Sequence, residues 1–183
     1  MLLRCATRTK PMNRSYLKAA LVVVALLLIG SHQGFTQTRK TIILVRHAEK
    51  DAAQAEMSGD PDLSAAGKER ADRLAKIADK YRPGAVFSSD TKRTRQTADP
   101  TAKRRHLEVQ IYDPQKHDEL VKQIMASKTK RFLIVGHSNT IPALANLLTG
   151  KELFKSLDDN EYGTIWVIRL CGNQVRKIQV LSY

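Results

Sequence analysis

Thr41 to Lys50, TIILVRHAEK, is the stretch from which the rest of the chain can be read. Thr41 to Val45 is apolar and β-branched with no polar break after Thr41. That composition predicts a strand buried on both faces, the habit of parallel sheets. Arg46, His47, Glu49 and Lys50 then arrive together at the strand's carboxyl end. Open α/β sheets bind ligands just outside the carboxyl ends of their strands. A cation beside a titratable imidazole at that spot suits an anionic ligand.

The chain upstream of this strand reads differently. Residues 19–30, AALVVVALLLIG, form an apolar block preceded by basic residues and followed by a small, polar stretch from Ser31 to Thr38. This is the layout of a secretory signal, and the block is short of the ~20 apolar residues of a transmembrane helix. Residues 1–38 are therefore expected to be a signal peptide, with a retained N-terminal anchor as the alternative. Residues 39–183 are expected to be one domain. The protein is then exported, periplasmic or secreted, and meets a membrane only if the leader stays.

The formal charge of +13 falls to +8 once the five basic residues of the leader, which has no acid, are set aside. Lys103-Arg104-Arg105 is the densest basic run and has no interleaved aromatics, so a nucleic-acid partner is not expected. Of the two cysteines, Cys5 lies in the leader and Cys171 beside a Gly-Asn turn. Neither has neighbours at metal-ligand spacing, and no metal or other cofactor is expected.

Downstream, strands and helices alternate. Asp51 to Asp62 reads as a polar loop, and Ser64 as the N-cap of a helix from Ala65 to about Lys80. Ala85 to Ser88 reads as a strand, Thr91 to about Thr101 as a helix ending near Pro100, and Leu107 to Tyr112 as a third strand. A helix containing Leu120 to Met125 precedes a fourth strand, Arg131 to Val135. Ile141 to Leu148 reads as a helix with Pro142 in its first turn, and Gly163 to Leu170 and Val175 to Leu181 as a closing hairpin. The expected class is α/β, a three-layer α/β/α sandwich with a mostly parallel central sheet.

Three of these strands end in phosphate-friendly residues: Arg46-His47, the run Ser88 to Ala98 (SSDTKRTRQTA), and Gly136-His137-Ser138. The last two lead into helix N-termini, whose free N–H groups favour anions, and arginine forks match phosphate oxygens. Two histidines and two arginines above one sheet edge make a phosphate cradle.

RHAEK after a buried strand, LSAAGKERA at 63–71, SSDTKRTRQTA at 88–98 and VGHSNT at 135–140 together resemble the histidine phosphatase, or phosphoglycerate mutase-like, superfamily. The likeness spans nearly the whole of residues 39–183 in the family's order. It implies that His47 is a nucleophile that becomes phosphohistidine. It also implies that Arg46 and Arg93 hold the phosphoryl oxygens and that His137 is the second pocket histidine. Ser89 is a further candidate for substrate contact. The leaving alkoxide needs a proton, and the family often takes it from an acid after the third strand. Asp113 is the first candidate, then Glu119 and Glu49. The expected activity is metal-independent hydrolysis of phosphomonoesters on a phosphorylated small molecule or a phosphoprotein. A phosphomutase and a phosphate-binding module with weak catalysis are the alternatives, and the sequence leaves the oligomeric state open.

Overall fold

The computed structural model describes residues 38–57 and 59–183. The apolar block at 19–30 lies outside the described residues. Six strands form one sheet: β1 (Arg39–Arg46), β2 (Ala85–Ser88), β3 (Val109–Ile111), β4 (Arg131–Gly136), β5 (Thr164–Cys171) and β6 (Gln174–Ser182). Their order is β3-β2-β4-β1-β5-β6. β3, β2, β4 and β1 run parallel, β5 is antiparallel to β1, and β6 is antiparallel to β5. The helices are α1 (Ala52–Met57), α2 (Ala65–Asp79), α3 (Lys92–Arg105), α4 (His117–Ala126) and α5 (Thr140–Thr149).

β1 shows why the sheet is buried on both sides. Ile42 and Leu44 face a core with Phe132, Ile134, Trp166 and Ile168, capped by Leu120 and Ile124 of α4 and Ile141 and Leu144 of α5. Ile43 and Val45 face the other core, closed by Leu74 and Ala78 of α2 and Ala98 and Ala102 of α3. Helices on both faces make the three-layer sandwich expected from the sequence. Each fully buried Leu or Ile contributes roughly 1.5–3 kcal/mol relative to exposure. Lys40 interrupts this apolar pattern. It is 1% exposed and its Nζ donates to Ser127 O and Thr129 O, the latter at 2.7 Å, tying β1 to the turn before β4.

This layering also opens the crevice. The connection leaving β1 packs on the α2–α3 face and that leaving β4 on the α4–α5 face. β1 and β4 are neighbours, so their following chains diverge and leave a gap at the carboxyl ends, the switch point where α/β sheets bind ligands. We call this edge the rim and the opposite edge the floor.

Two expectations are corrected. The stretch 51–62 is not all loop, because α1 occupies Ala52–Met57, with Asp51 Oδ1 accepting from Gln54 N at 3.0 Å. An N-terminal side-chain cap of this kind favours a helical turn that composition did not signal. α3 also does not end at Pro100 but runs on to Arg105. Pro100 removes one intrahelical donor, yet Ala98, Thr101 and Ala102 are buried and hold the helix against the sheet. Its end comes at His106, whose left-handed backbone (φ 53°) turns the chain and lets its N–H reach Ala102 O and Lys103 O. The Ser64 cap forms as expected, accepting from Gly67 N at 3.1 Å.

Candidate active site

The motif residues around the pocket are anchored by one another. His47 follows β1 directly, its N–H donating to Gly136 O of β4 at 2.9 Å. Ala48 N donates to Thr97 Oγ1 at 3.0 Å. Gln96 uses both ends of its amide, accepting from Leu63 N and donating to Asp62 Oδ1, each at 2.7 Å. The Gln-Thr pair of α3 therefore fixes both the chain after His47 and the entry to α2, while Arg93, one turn earlier, faces the pocket. Gly67 meets the same chain from the other side. A Cβ there would lie 2.2 Å from Glu49 O, so only glycine lets α2 approach this closely.

His47 is 5% exposed. Its Nδ1 lies 2.8 Å from Ala48 O. A carbonyl oxygen only accepts, so Nδ1 carries the hydrogen and Nε2 keeps its lone pair. Burial is the main force pulling the ring's pKa down to about 3, opposed by that hydrogen bond and assisted by Arg93, His137 and Arg46. His47 is thus a neutral imidazole at any ordinary pH. His137 sits edge-on to it, ring centroids 5.6 Å apart. Burial, then the Arg93 and Arg46 charges, lowers its pKa to about 4.

Arg46 is 5% exposed and held on several sides. Its Nη1 donates to Asp158 O at 2.6 Å and Glu161 O at 3.1 Å. Its guanidinium carbon lies 4.2 Å from the centre of the Tyr162 ring, whose centroid is also 6.0 Å from that of His47. The buried Nε has no hydrogen-bond partner among the described residues, and an orphaned buried donor points to an incoming acceptor. Arg93 lies 3.4 Å from Asp60, whose carboxylate also accepts from Lys92 N at the start of α3.

Arg46, His47, Arg93 and His137 line one pocket of about 350 Å³, together with Lys50, Ser138, Asn139 and Asp159. The structure thus brings together the four residues picked from three separate motifs. Ser89 lies behind His137, its Oγ 2.8 Å from Nε2, and outside the lining. Asp113 is exposed beyond β3, the edge strand, with β2 and β4 between it and β1. Its Oδ1 caps Gln115 N at 2.9 Å and it does not line the pocket. Glu119 pairs with Lys116 at 3.5 Å. Glu49 is clasped by Arg70 through Nε and Nη2, and that contact holds its carboxyl below the usual range in spite of burial.

Four contributors escaped sequence reasoning: Tyr162, Asp159 and the carbonyls of Asp158 and Glu161. All come from the irregular connection between α5 and β5, which carries no motif. Among the described residues no cluster of His, Cys, Asp and Glu could hold a metal ion.

The model for the histidine phosphatase superfamily (branch 1) matches residues 42–114, from within β1 to just past β3. Over that stretch the chain is similar to the histidine phosphatase superfamily. His137 lies outside the matched stretch and enters the site through the fold. Among solved structures, the chain is similar to an Agrobacterium tumefaciens protein assigned as the phosphohistidine phosphatase SixA. Identity is 24% and the TM-score 0.59, over 79% of this chain and 98% of that one. It is also similar to an Escherichia coli protein assigned as an alpha-ribazole-5′-P phosphatase (16%, TM-score 0.65, over 79% and 96%). A mycobacterial glucosyl-3-phosphoglycerate phosphatase is a third (16%, TM-score 0.61, over 79% and 98%). These likenesses confirm the fold. No curated protein matches the sequence.

Proposed function

We propose that the protein is a phosphatase hydrolysing phosphomonoesters through a phosphohistidine on His47. The observation that carries this reading is a buried neutral imidazole, its tautomer fixed by Ala48 O, in one pocket with Arg46, Arg93 and His137. His47 Nε2 attacks phosphorus and the bond to the leaving oxygen breaks. Arg46 and Arg93 hold the equatorial oxygens, where phosphoryl transfer gathers charge. Water then attacks the phosphorus–nitrogen bond, releasing phosphate and returning the imidazole. The set needs no metal for these steps. The match of residues 42–114 to the histidine phosphatase model and the fold shared with phosphatases of phosphohistidine and of phosphorylated small molecules support the same reading.

For the proton of the leaving alkoxide, the pocket offers Asp159, a carboxylate in its lining. Asp113 reaches the pocket only if the rim rearranges. Asp159→Asn slows alkyl phosphates, which need the proton, more than aryl phosphates, which do not; Asp113→Asn is the parallel test. The decisive variant is His47→Ala, which should release no phosphate from a generic aryl phosphate. Turnover retained by His47→Ala sinks the proposal.

The small leader-free domain and an open pocket fit a broad or large substrate, and the apolar leader fits an exported enzyme. Export is read by separating the compartments of the producing cell and locating the protein.

A further inference from the structure

The floor of the sheet carries a second pattern that the phosphatase reading does not use. It exposes Arg39 where β1 begins, Arg82 before β2, Arg104 at the end of α3, Lys128 and Lys130 before β4, and Arg176 after the β5–β6 turn. None of the six makes an ion pair among the described residues. Strand direction gathers them: β1, β2 and β4 all start at this edge, and so does β6. Carboxylates collect at the other edge, where Asp60, Asp62, Asp90, Asp113, Asp158 and Asp159 follow strands or precede helices at the rim. At the floor, Asp79 is taken up by Arg105 at 3.4 Å, and Glu152 accepts from Asn146 Nδ2. Glu108, before β3, is exposed. The domain is therefore electrically polar along its strands, cationic at the floor.

Two observations choose the partner. The first is that the chain enters β1 at this same floor, and the apolar block at 19–30 precedes Arg39 by only eight residues. A leader held in a bilayer would leave the start of β1 only eight residues of chain away from it. The second is that no Phe, Tyr or Trp among the described residues is exposed, so the face lacks the stacking platforms of a single-stranded nucleic-acid surface. Cations near an anionic bilayer each contribute about 1 kcal/mol, falling off within a Debye length.

We propose that the floor docks on an anionic phospholipid surface, leaving the pocket at the rim open to solvent. The test is sedimentation of the full chain with vesicles of phosphatidylcholine alone, or of phosphatidylcholine mixed with phosphatidylglycerol. The apolar leader acts on both vesicles, so the ratio of the two partition coefficients reports the floor. Each cation is worth about fivefold in that ratio. Arg39→Gln/Lys128→Gln/Arg176→Gln should lower it by about two orders of magnitude. The charge-matched Lys68→Gln/Lys92→Gln/Lys116→Gln variant, changed near the rim, should keep it. Equal ratios for wild type and the floor variant overturn the proposal, as does an equal loss in both variants. Unchanged turnover of a soluble aryl phosphate by the floor variant shows that it is folded. Competition by millimolar inorganic phosphate, out of proportion to its ionic strength, would assign the cations to a free-anion site and also overturn the proposal. Binding of an RNA oligonucleotide by the protein, with a ratio of about one between the two vesicles, would do the same.

Discussion

At the rim, Arg46 is 5% exposed, hydrogen-bonded to two carbonyls and stacked on Tyr162. At the floor of the same sheet, Arg39, Arg82 and Arg176 stand exposed without an ion pair among the described residues. The same side chain is fixed in one place and left to water in the other. Taking a guanidinium out of water costs free energy unless nearly every donor is met. The connection from α5 to β5 supplies two carbonyls to Nη1 of Arg46 and leaves Nε unmet. The rim is thus preorganised for one anion in one geometry, whereas the floor offers charge without geometry. Chemistry needs the first arrangement, and attraction to a broad surface needs only the second.

Breaking the rim should therefore cost far more than equal changes elsewhere. Arg46→Lys keeps the charge but loses the planar fork and its stacking, and should lower kcat/KM for an aryl phosphate by about a hundredfold or more. A loss below threefold would show that charge alone serves and would erase the contrast with the floor.

Acid acts on the rim through its two imidazoles. His47 is pulled from 6.5 to about 3 and His137 to about 4. Below pH 6.5 the unfolded chain takes up protons that the folded state refuses. Stability from these two groups is full above that pH and is lost as pH falls towards about 3. Denaturant midpoints should drop between pH 7 and pH 4.5, and drop less in His47→Gln/His137→Gln. An equal drop in both proteins would place the acid sensitivity elsewhere.

Gly136→Ala probes the ground beneath the rim. A Cβ at that position would lie 2.6 Å from Tyr112 Oη and 2.9 Å from Ile141. Overpacking of this kind costs about 1–3 kcal/mol, read as a lower denaturant midpoint. No change would mean that β4 and α5 shift freely, against the packing described. Tyr162→Leu is milder. It removes the aromatic face beneath Arg46, worth about 0.5–2 kcal/mol, so KM should rise several-fold and Tyr162→Phe should restore it. If Tyr162→Phe is as impaired as Tyr162→Leu, the hydroxyl and not the ring face matters.

The sequence was most readable where one local pattern had one structural meaning. TIILV could only be a doubly buried strand, and the Ser64 cap and the strand-to-helix run from Ser88 followed rules of a few residues. Their convergence places Arg46, His47, Arg93 and His137 at one sheet edge. Pro100 misled because burial of Ala98 and Ala102 outweighs the missing hydrogen bond, and burial is a property of the assembled sheet. Tyr162 was invisible for a related reason. It reaches Arg46 from a connection with no periodicity, and nothing in its neighbours marks a cation as its partner. Asp113 follows the third strand in sequence. That β3 lies at the sheet's edge depends on strand order, which local sequence does not state.

The central claim is covalent, and trapping the intermediate tests it most directly. The protein is mixed with an excess of an aryl phosphate, quenched in alkali within milliseconds, digested, and mapped by mass spectrometry. The account predicts one phosphate on His47, stable to alkali and lost in acid, and absent from His47→Ala. Phosphate on another residue, or steady turnover with none trapped on His47 at any quench time, would contradict it.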